Sequence, residues 1–379
     1  MTDLLIVGGG IMGLWAAVKA ERAGLKTILI EKDRIGAGAS GGVLGALMPY
    51  MPDRWDDKKQ FQFDALVSLE TEIAGLEAQT GLSAGYRRSG RLIPLPKPHL
   101  RTIALRHEQD ALANWRAGDR QFFWHVRDNS TLVGWPQGKA MASGVVLDTL
   151  AGRVNPRGML AVLATHLHGS SLVRIDEGRE LLDLDPVAGR AFLADGEMLS
   201  FGACILAAGV QSFAQLDTLE TADAFPTGVA VKGQAAVLKA DIDPSFPVIF
   251  LDGLYVIPHD NGLVAIGSTS ENSFSDPRST DEQLESLLDR ARGVVPLLRD
   301  APVVERWAGL RPKAIGRDPM VGRHPDFEKL HVLTGGFKIS FGLAHRLAES
   351  VIGEIIGRTD TALPESFRCR QHFSLSKKS

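Results

Sequence analysis

Two short apolar runs open the chain, Leu4-Leu5-Ile6-Val7 and Thr27-Ile28-Leu29-Ile30. Each is continuous rather than alternating, the pattern of a strand buried on both faces. Between them, Gly8-Gly9-Gly10-Ile11-Met12-Gly13 interrupts the chain. Good helix formers then run from Leu14 to Ala23 and stop at Gly24. The second run ends at Glu31, so one βαβ unit occupies about 30 residues.

Further along, helical patterns cover Lys58–Thr80, Leu100–Ala113, Asn155–His168 with Pro156 in its first turn, Asp281–Arg292 and Leu343–Ile356. Strand signals with prolines fill Tyr86–Pro98. Apolar strand runs recur at Leu172–Ile175, at Ala203–Leu206 leading into Ala207-Ala208-Gly209, and at Val332–Thr334 leading into Gly335-Gly336. Alternation over Val229–Leu238 and Gly253–Gly267 predicts antiparallel strands. Ser374–Ser379 reads as a frayed tail. Nucleotide-type signals thus stand at the start, middle and end, with antiparallel segments between them. That order predicts two domains, each assembled from separated pieces of chain.

Composition narrows the function classes. The 379 residues are 44% hydrophobic and 23% charged with a net charge of −3, an ordinary globular balance. No polybasic field points to nucleic acid or an anionic membrane. Cys204 and Cys369 are too few and too far apart for a disulfide framework or a structural zinc site, so a cytoplasmic location and no metal are expected. The apolar stretch Leu4–Val18 is preceded by Asp3 and broken by four glycines, which argues against a signal peptide or a membrane span.

The glycine loop carries the first chemistry. A lone G-x-G-x-x-G is a weak signal, but here a strand precedes it, a helix follows, and an acidic residue ends the next strand. Gly8 makes the tight turn, Gly10 lets the backbone approach a pyrophosphate, and Gly13 lets helix and strand pack closely. The helix N-terminus offers unpaired N–H groups and a favourable dipole to phosphates. Glu31 accepts from a ribose hydroxyl. A glycine-rich turn in an unrelated α/β sheet is the competing reading. A second glycine stretch, Gly36 to Gly42, adds backbone donors without bulk, which suits a long extended cofactor. The chain then leaves the βα pattern at Met48-Pro49, whereas a nicotinamide enzyme would continue with short βα units.

Together these segments resemble the D-amino-acid oxidase superfamily of flavoenzymes, in the style of glycine oxidase and monomeric sarcosine oxidase. The matching pieces are Val7–Gly13, Glu31-Lys32, Gly38–Gly42, Gly152–Pro156, Leu206–Gly209, Ala308–Pro312, Asp318–Gly322 and Thr334–Lys338, in family order across nearly the whole chain. The resemblance implies an α/β plus α+β protein of the glutathione-reductase-2 type. A Rossmann-like FAD-binding domain (residues 1–48, 143–224 and 305–379) would join a discontinuous antiparallel-sheet substrate domain (49–142 and 225–304).

It also implies non-covalent FAD, because relatives that attach flavin do so through a cysteine shortly after the arginine segment, and Arg311 to Gly322 holds none. The implied FAD contacts are Gly8, Gly10, Ile11, Met12, Gly13, Glu31, Lys32, Ala39, Ser40, Gly41, Gly42, Leu181, Ala208, Gly209, Gly309, Gly335, Gly336, Phe337 and Lys338. In glycine-oxidase-like enzymes the arginine of Gly-Leu-Arg-Pro, here Arg311, grips the substrate carboxylate as a two-pronged fork; a structural arginine at a strand end is the alternative. Lys338 stands where relatives often carry arginine, beside the flavin edge, and an ordinary solvated lysine is the alternative. Gly336 replaces a histidine, so the relatives' substrate does not transfer. Tyr255 either lines the pocket or is a plain core tyrosine. Tyr50, with Met48, lies where the chain leaves the FAD domain, close to flavin in relatives, although packing is the safer role. His259 reads as a turn residue rather than a catalyst.

The expected activity is oxidation of the C–N bond of an amino acid or secondary amine carrying a carboxylate, by hydride transfer to FAD. Oxygen or a partner protein would take the electrons. The alternatives are a 2-hydroxy-acid dehydrogenase, the flavin subunit of a multi-component amine dehydrogenase, and a tRNA-modifying flavoenzyme, the last disfavoured by the charge.

Overall fold

The computed structural model describes residues 2–219, 226–358 and 363–376. The opening apolar run becomes the strand Thr2–Val7, hydrogen-bonded in parallel to Thr27–Glu31 on one side and to Met198–Leu206 on the other. Val173–Glu177 extends this sheet beyond Thr27–Glu31, and Leu330–Thr334 extends it beyond Met198–Leu206, all parallel. Leu4, Leu5 and Ile6 are fully buried, as a sheet covered on both faces demands. Antiparallel strands Leu181–Asp185, Arg190–Leu193 and Met320–Arg323 complete eight strands.

The helix Ile11–Arg22 packs against this sheet, and its buried side reaches the closing helix Ser340–Ile355, where Trp15 meets His345 at 5.6 Å between ring centroids. The long helix Asp57–Thr80 is capped at its start by the Asp56 carboxylate, which accepts from the Lys59 N–H. Glu72 on that helix pairs with Lys19 at 2.5 Å and Arg22 at 2.6 Å, tying it to the first helix.

The second sheet also has eight strands, in the order Val303–Ala314, Gly228–Lys239, Leu263–Gly267, Leu254–His259, Val248–Leu251, Arg91–Pro94, Val145–Asp148 and Trp124–Arg127. Its pairs are antiparallel except Val248–Leu251 with Arg91–Pro94. The helix Glu282–Val294 covers one face through Leu284, Leu287, Leu288 and Ala291. Two expected boundaries shift. Val145–Asp148 and most of Val303–Ala314 fall in the pieces assigned to the FAD domain, yet both hydrogen-bond into the second sheet. The tail also differs from expectation. Cys369–Ser376 is a helix that buries His372, Phe373 and Ser376, while residues 377–379 of the expected frayed end lie outside the described residues.

Candidate functional site

A cavity of about 710 Å³ runs between the glycine loop and the second sheet. One end is built from consecutive backbone. Val7 leads into Gly8 at φ 112°, where a Cβ would lie 2.5 Å from the Ala207 carbonyl oxygen. A Cβ on Gly13 would lie 1.9 Å from the Gly8 carbonyl oxygen, so these two glycines are required by the protein's own packing. Gly10 is different. A Cβ there would meet only the Ser40 side chain, at 3.1 Å, and would otherwise project into the cavity. Its smallness leaves room for something outside the chain. Ser40 Oγ accepts from the Ile11 N–H at 3.0 Å, pinning the second glycine stretch against the first turn of the helix. That turn carries no acidic side chain, which leaves its dipole uncompensated and suited to an anion.

Glu31 closes this end. Its carboxylate accepts from the N–H of Gly9 at 2.7 Å and of Asp33 at 3.0 Å, and it lines the cavity. A carboxylate has further lone pairs, so a sugar hydroxyl can still donate to it. Lys32, Leu181, Ala39, Gly42, Ala208 and Gly209 line the same cavity, as do Ile11 and Met12. Gly41 and Gly13 lie behind the lining, in the turns that support it.

The far end is built from side chains on distant strands. Arg311 lies on Val303–Ala314 opposite Val231, and only 8% of it is exposed. Its guanidinium lies flat over Gly233, where a Cβ would come within 1.9 Å of Nη1. Nη1 donates to the Thr269 carbonyl at 3.1 Å. Burial lowers the Arg311 pKa to about 10, opposed by the nearby Tyr255 and Glu271. Tyr255 lines the cavity, and burial raises its pKa against the pull of Arg91 and Arg311.

Lys338 lines the cavity with Gly335, Gly336 and Phe337, its Nζ 5.4 Å from the Phe337 ring centroid. Burial first, and then the like charge of Arg311, hold its pKa below the usual lysine value. The Trp307 indole lies over Gly309 and against Gly42. Cavity-lining carboxylates among the described residues are Glu31, Asp33 and Glu180, all at the first end. The two ends therefore differ: Glu31, Asp33 and Glu180 stand at the first with Lys32 and Arg179 among them, whereas Arg311 and Lys338 at the second have no cavity-lining carboxylate beside them among the described residues.

Two expectations are corrected. Tyr50 stands outside this cavity, in a small hollow with Trp55, Gln62 and Trp115. Its N–H donates to Gln62 Oε1 at 2.5 Å, and burial raises its phenol pKa to about 12. The chain turns away after Met48, which does line the cavity, so the next side chains face the helix Asp57–Thr80 instead. His259 is a buried strand residue rather than a turn residue. Its Nε2 donates to the carbonyls of Val43 and Leu44 at 3.2 and 3.1 Å, and burial lowers its pKa to about 4. It fastens the second sheet to the segment after the glycine stretch. Sequence reading missed Gly233, Thr269 and Trp307, which reach the site only through strand pairing. The alternation around Arg311, which puts Trp307 and Gly309 on its face, was the signal available for Trp307.

Residues 3–350 match the family model described as FAD dependent oxidoreductase, and the chain belongs to that family. It is 29% identical over 350 residues to a glycine oxidase of Pseudomonas aeruginosa, an overlap covering 90% of this chain and 91% of the relative. It is 25% identical to a glycine oxidase of Geobacillus kaustophilus, covering 95% and 94%. The solved structure of the Geobacillus enzyme superposes with a TM-score of 0.83 at 21% identity, covering 97% of this chain and 98% of that one. An iminodiacetate oxidase from Chelativorans superposes at 0.82 with 23% identity, covering 97% and 98%. This protein is thus an FAD-dependent oxidoreductase. Among the described residues no helix is long and apolar enough to cross a membrane.

Proposed function

We propose that the protein oxidises the C–N bond of an amino acid or secondary amine that carries a carboxylate. The observation that carries this reading is the buried Arg311 guanidinium, facing the cavity with one described hydrogen bond and no described carboxylate partner. A guanidinium so placed favours a planar anion that can accept two parallel N–H bonds. The glycine oxidases among the relatives act on a substrate of this class.

FAD, when bound, supplies a two-electron acceptor for the hydride leaving the carbon next to nitrogen, and the resulting imine is hydrolysed by water. Gly8, Gly10, the first turn from Ile11 and Ser40 would hold its pyrophosphate, and Glu31 its ribose. Leu181 with Arg179 would lie by the adenine, and Gly335 to Lys338 would border the flavin ring. Neither cysteine lines the cavity, consistent with non-covalent binding.

Arg311 clamps the carboxylate and so fixes the reacting C–H bond in place. Tyr255 adds a donor beside it. Lys338 would hold a positive charge beside the flavin and so favour its reduced, anionic form. No carboxylate or histidine lines this end among the described residues, and hydride loss from the carbon bearing the amine needs that amine unprotonated rather than a strong protein base. The first sheet would serve as the FAD-binding layer and the second as the wall that carries the substrate-facing side chains. The test is anaerobic mixing of the yellow holoenzyme with a panel of amino acids, N-alkyl amino acids and 2-hydroxy acids. Bleaching by the amines and not by the hydroxy acids is expected. Bleaching by hydroxy acids alone would overturn the reading. Admitting air then shows whether oxygen reoxidises the flavin.

A further inference from the structure

Behind Arg311 lies a buried polar cluster that the reading above does not use. Glu271 and Lys232 are 8% and 3% exposed, and Gln234 is fully buried. Glu271 Oε1 accepts from the Thr269 hydroxyl and from Gln234 Nε2 at 3.0 Å. Its backbone N–H and C=O exchange two 2.9 Å hydrogen bonds with Lys232. Lys232 Nζ stands 3.8 Å from both Glu271 and Asp281. The Thr269 hydroxyl also accepts from the Gln234 N–H at 2.9 Å, so this residue is held on both sides. Its carbonyl is the one that receives the Arg311 Nη1 bond.

We propose that Glu271 is a positioning residue for the carboxylate clamp: through Thr269 it fixes the angle at which Arg311 is presented to the cavity, and its negative charge attracts that guanidinium. The inference rests on the assignment of Arg311 to the substrate carboxylate. A buried carboxylate with no such task would be an expensive way to pack this site, since an apolar side chain of similar volume avoids the desolvation. The charged and titratable groups facing the pair are Lys232 from Gly228–Lys239, Asp281 at the start of Glu282–Val294, Tyr255 from Leu254–His259, and Lys338. Lys232 and Asp281 balance one another across Glu271. Glu271 is the carboxylate whose charge acts on Arg311, and the two attract.

The experiment uses holoenzyme and a non-oxidisable carboxylate, benzoate, with its Kd read from the perturbation of the bound flavin's absorbance between pH 7 and pH 10.5. Glu271→Gln keeps the volume and the hydrogen-bond acceptor but removes the charge. It is expected to weaken benzoate about tenfold at neutral pH and to move the alkaline loss of binding to lower pH. With amine substrate the loss should appear in kcat/KM, the larger part of it in KM. Thr269→Val keeps the carbonyl and removes the hydroxyl link, and should weaken benzoate without moving the alkaline limb. An unchanged Kd and limb in Glu271→Gln overturns the proposal. Should that variant fail to load FAD, an unchanged Kd in Thr269→Val overturns it instead. Arg311→Leu separates the two readings: retained benzoate binding there sinks the clamp itself, whereas lost binding there with normal Glu271→Gln and Thr269→Val variants sinks only the role of Glu271.

Discussion

The two ends of the cavity solve the problem of holding an anion in opposite ways. At the glycine loop, main-chain N–H groups and a helix terminus face the ligand, and the side chains that matter are absent ones: nothing grows from Gly10. At the other end, Arg311 and Lys338 present full charges on long side chains. Backbone donors are fixed by the fold and cost little ordering on binding. A guanidinium must be held in place by something, and here Gly233 supplies a flat floor and Thr269 a carbonyl anchor. The first end suits a cofactor that stays, the second a substrate that comes and goes.

The sharpest break between the ends comes from Arg311→Leu. It should lower kcat/KM for a carboxylate-bearing amine about 100-fold or more while FAD content stays normal, because a buried charged partner is lost only where substrate binds. Steady-state kinetics beside the flavin-to-protein absorbance ratio decides it; a loss of flavin would mean that the two ends are not separable. Gly233→Ala forces a Cβ into the guanidinium and should give the same signature at roughly 30-fold, since a clamp displaced by about 1 Å misaligns the reacting bond. Glu31→Ala should do the reverse. FAD dissociation, followed by flavin fluorescence, should strengthen about tenfold in its tendency to occur, with turnover per bound flavin unchanged.

The smallest effect is expected from Lys338→Met, about threefold on turnover, together with a flatter pH profile. The sign follows from the lowered Lys338 pKa: the charge is present at low pH and is lost as pH rises through that value, so the wild-type rate should fall on the alkaline side before the variant's does. Carboxylate binding itself should persist to higher pH than the Lys338 effect, because burial lowers the Arg311 pKa only to about 10.

The glycine end was legible because its parts are neighbours along the chain. Strand, turn, helix and Glu31 fall within one βαβ unit, and the sheet pairs them as the apolar runs suggested. Arg311 and Lys338 were legible only through resemblance, and the structure places both at the cavity. Tyr50 was misplaced because adjacency to Met48 says nothing about which way the chain turns. Gly233 was invisible because register across Gly228–Lys239 and Val303–Ala314 brings it beside Arg311, and Glu271 because an isolated bridge to Lys232 ties its segment to the same strand. His259 was misread as a turn residue because a Pro-His pair before Asp-Asn-Gly resembles a loop, whereas pairing to Leu263 keeps it in the strand.

The strand Val303–Ala314 carries Trp307, Gly309 and Arg311 at alternate positions, with the indole folded over the glycine and the guanidinium just beyond. For directed evolution this is a compact design surface. Replacing Trp307 with smaller residues removes the roof over Gly309 and opens space beside an unaltered acid-binding group. Under the proposed function, libraries confined to positions 307 and 309 would vary the size of the accepted side chain while leaving Arg311 in place, with Trp307 giving up its packing against Val43, Ala235 and their neighbours.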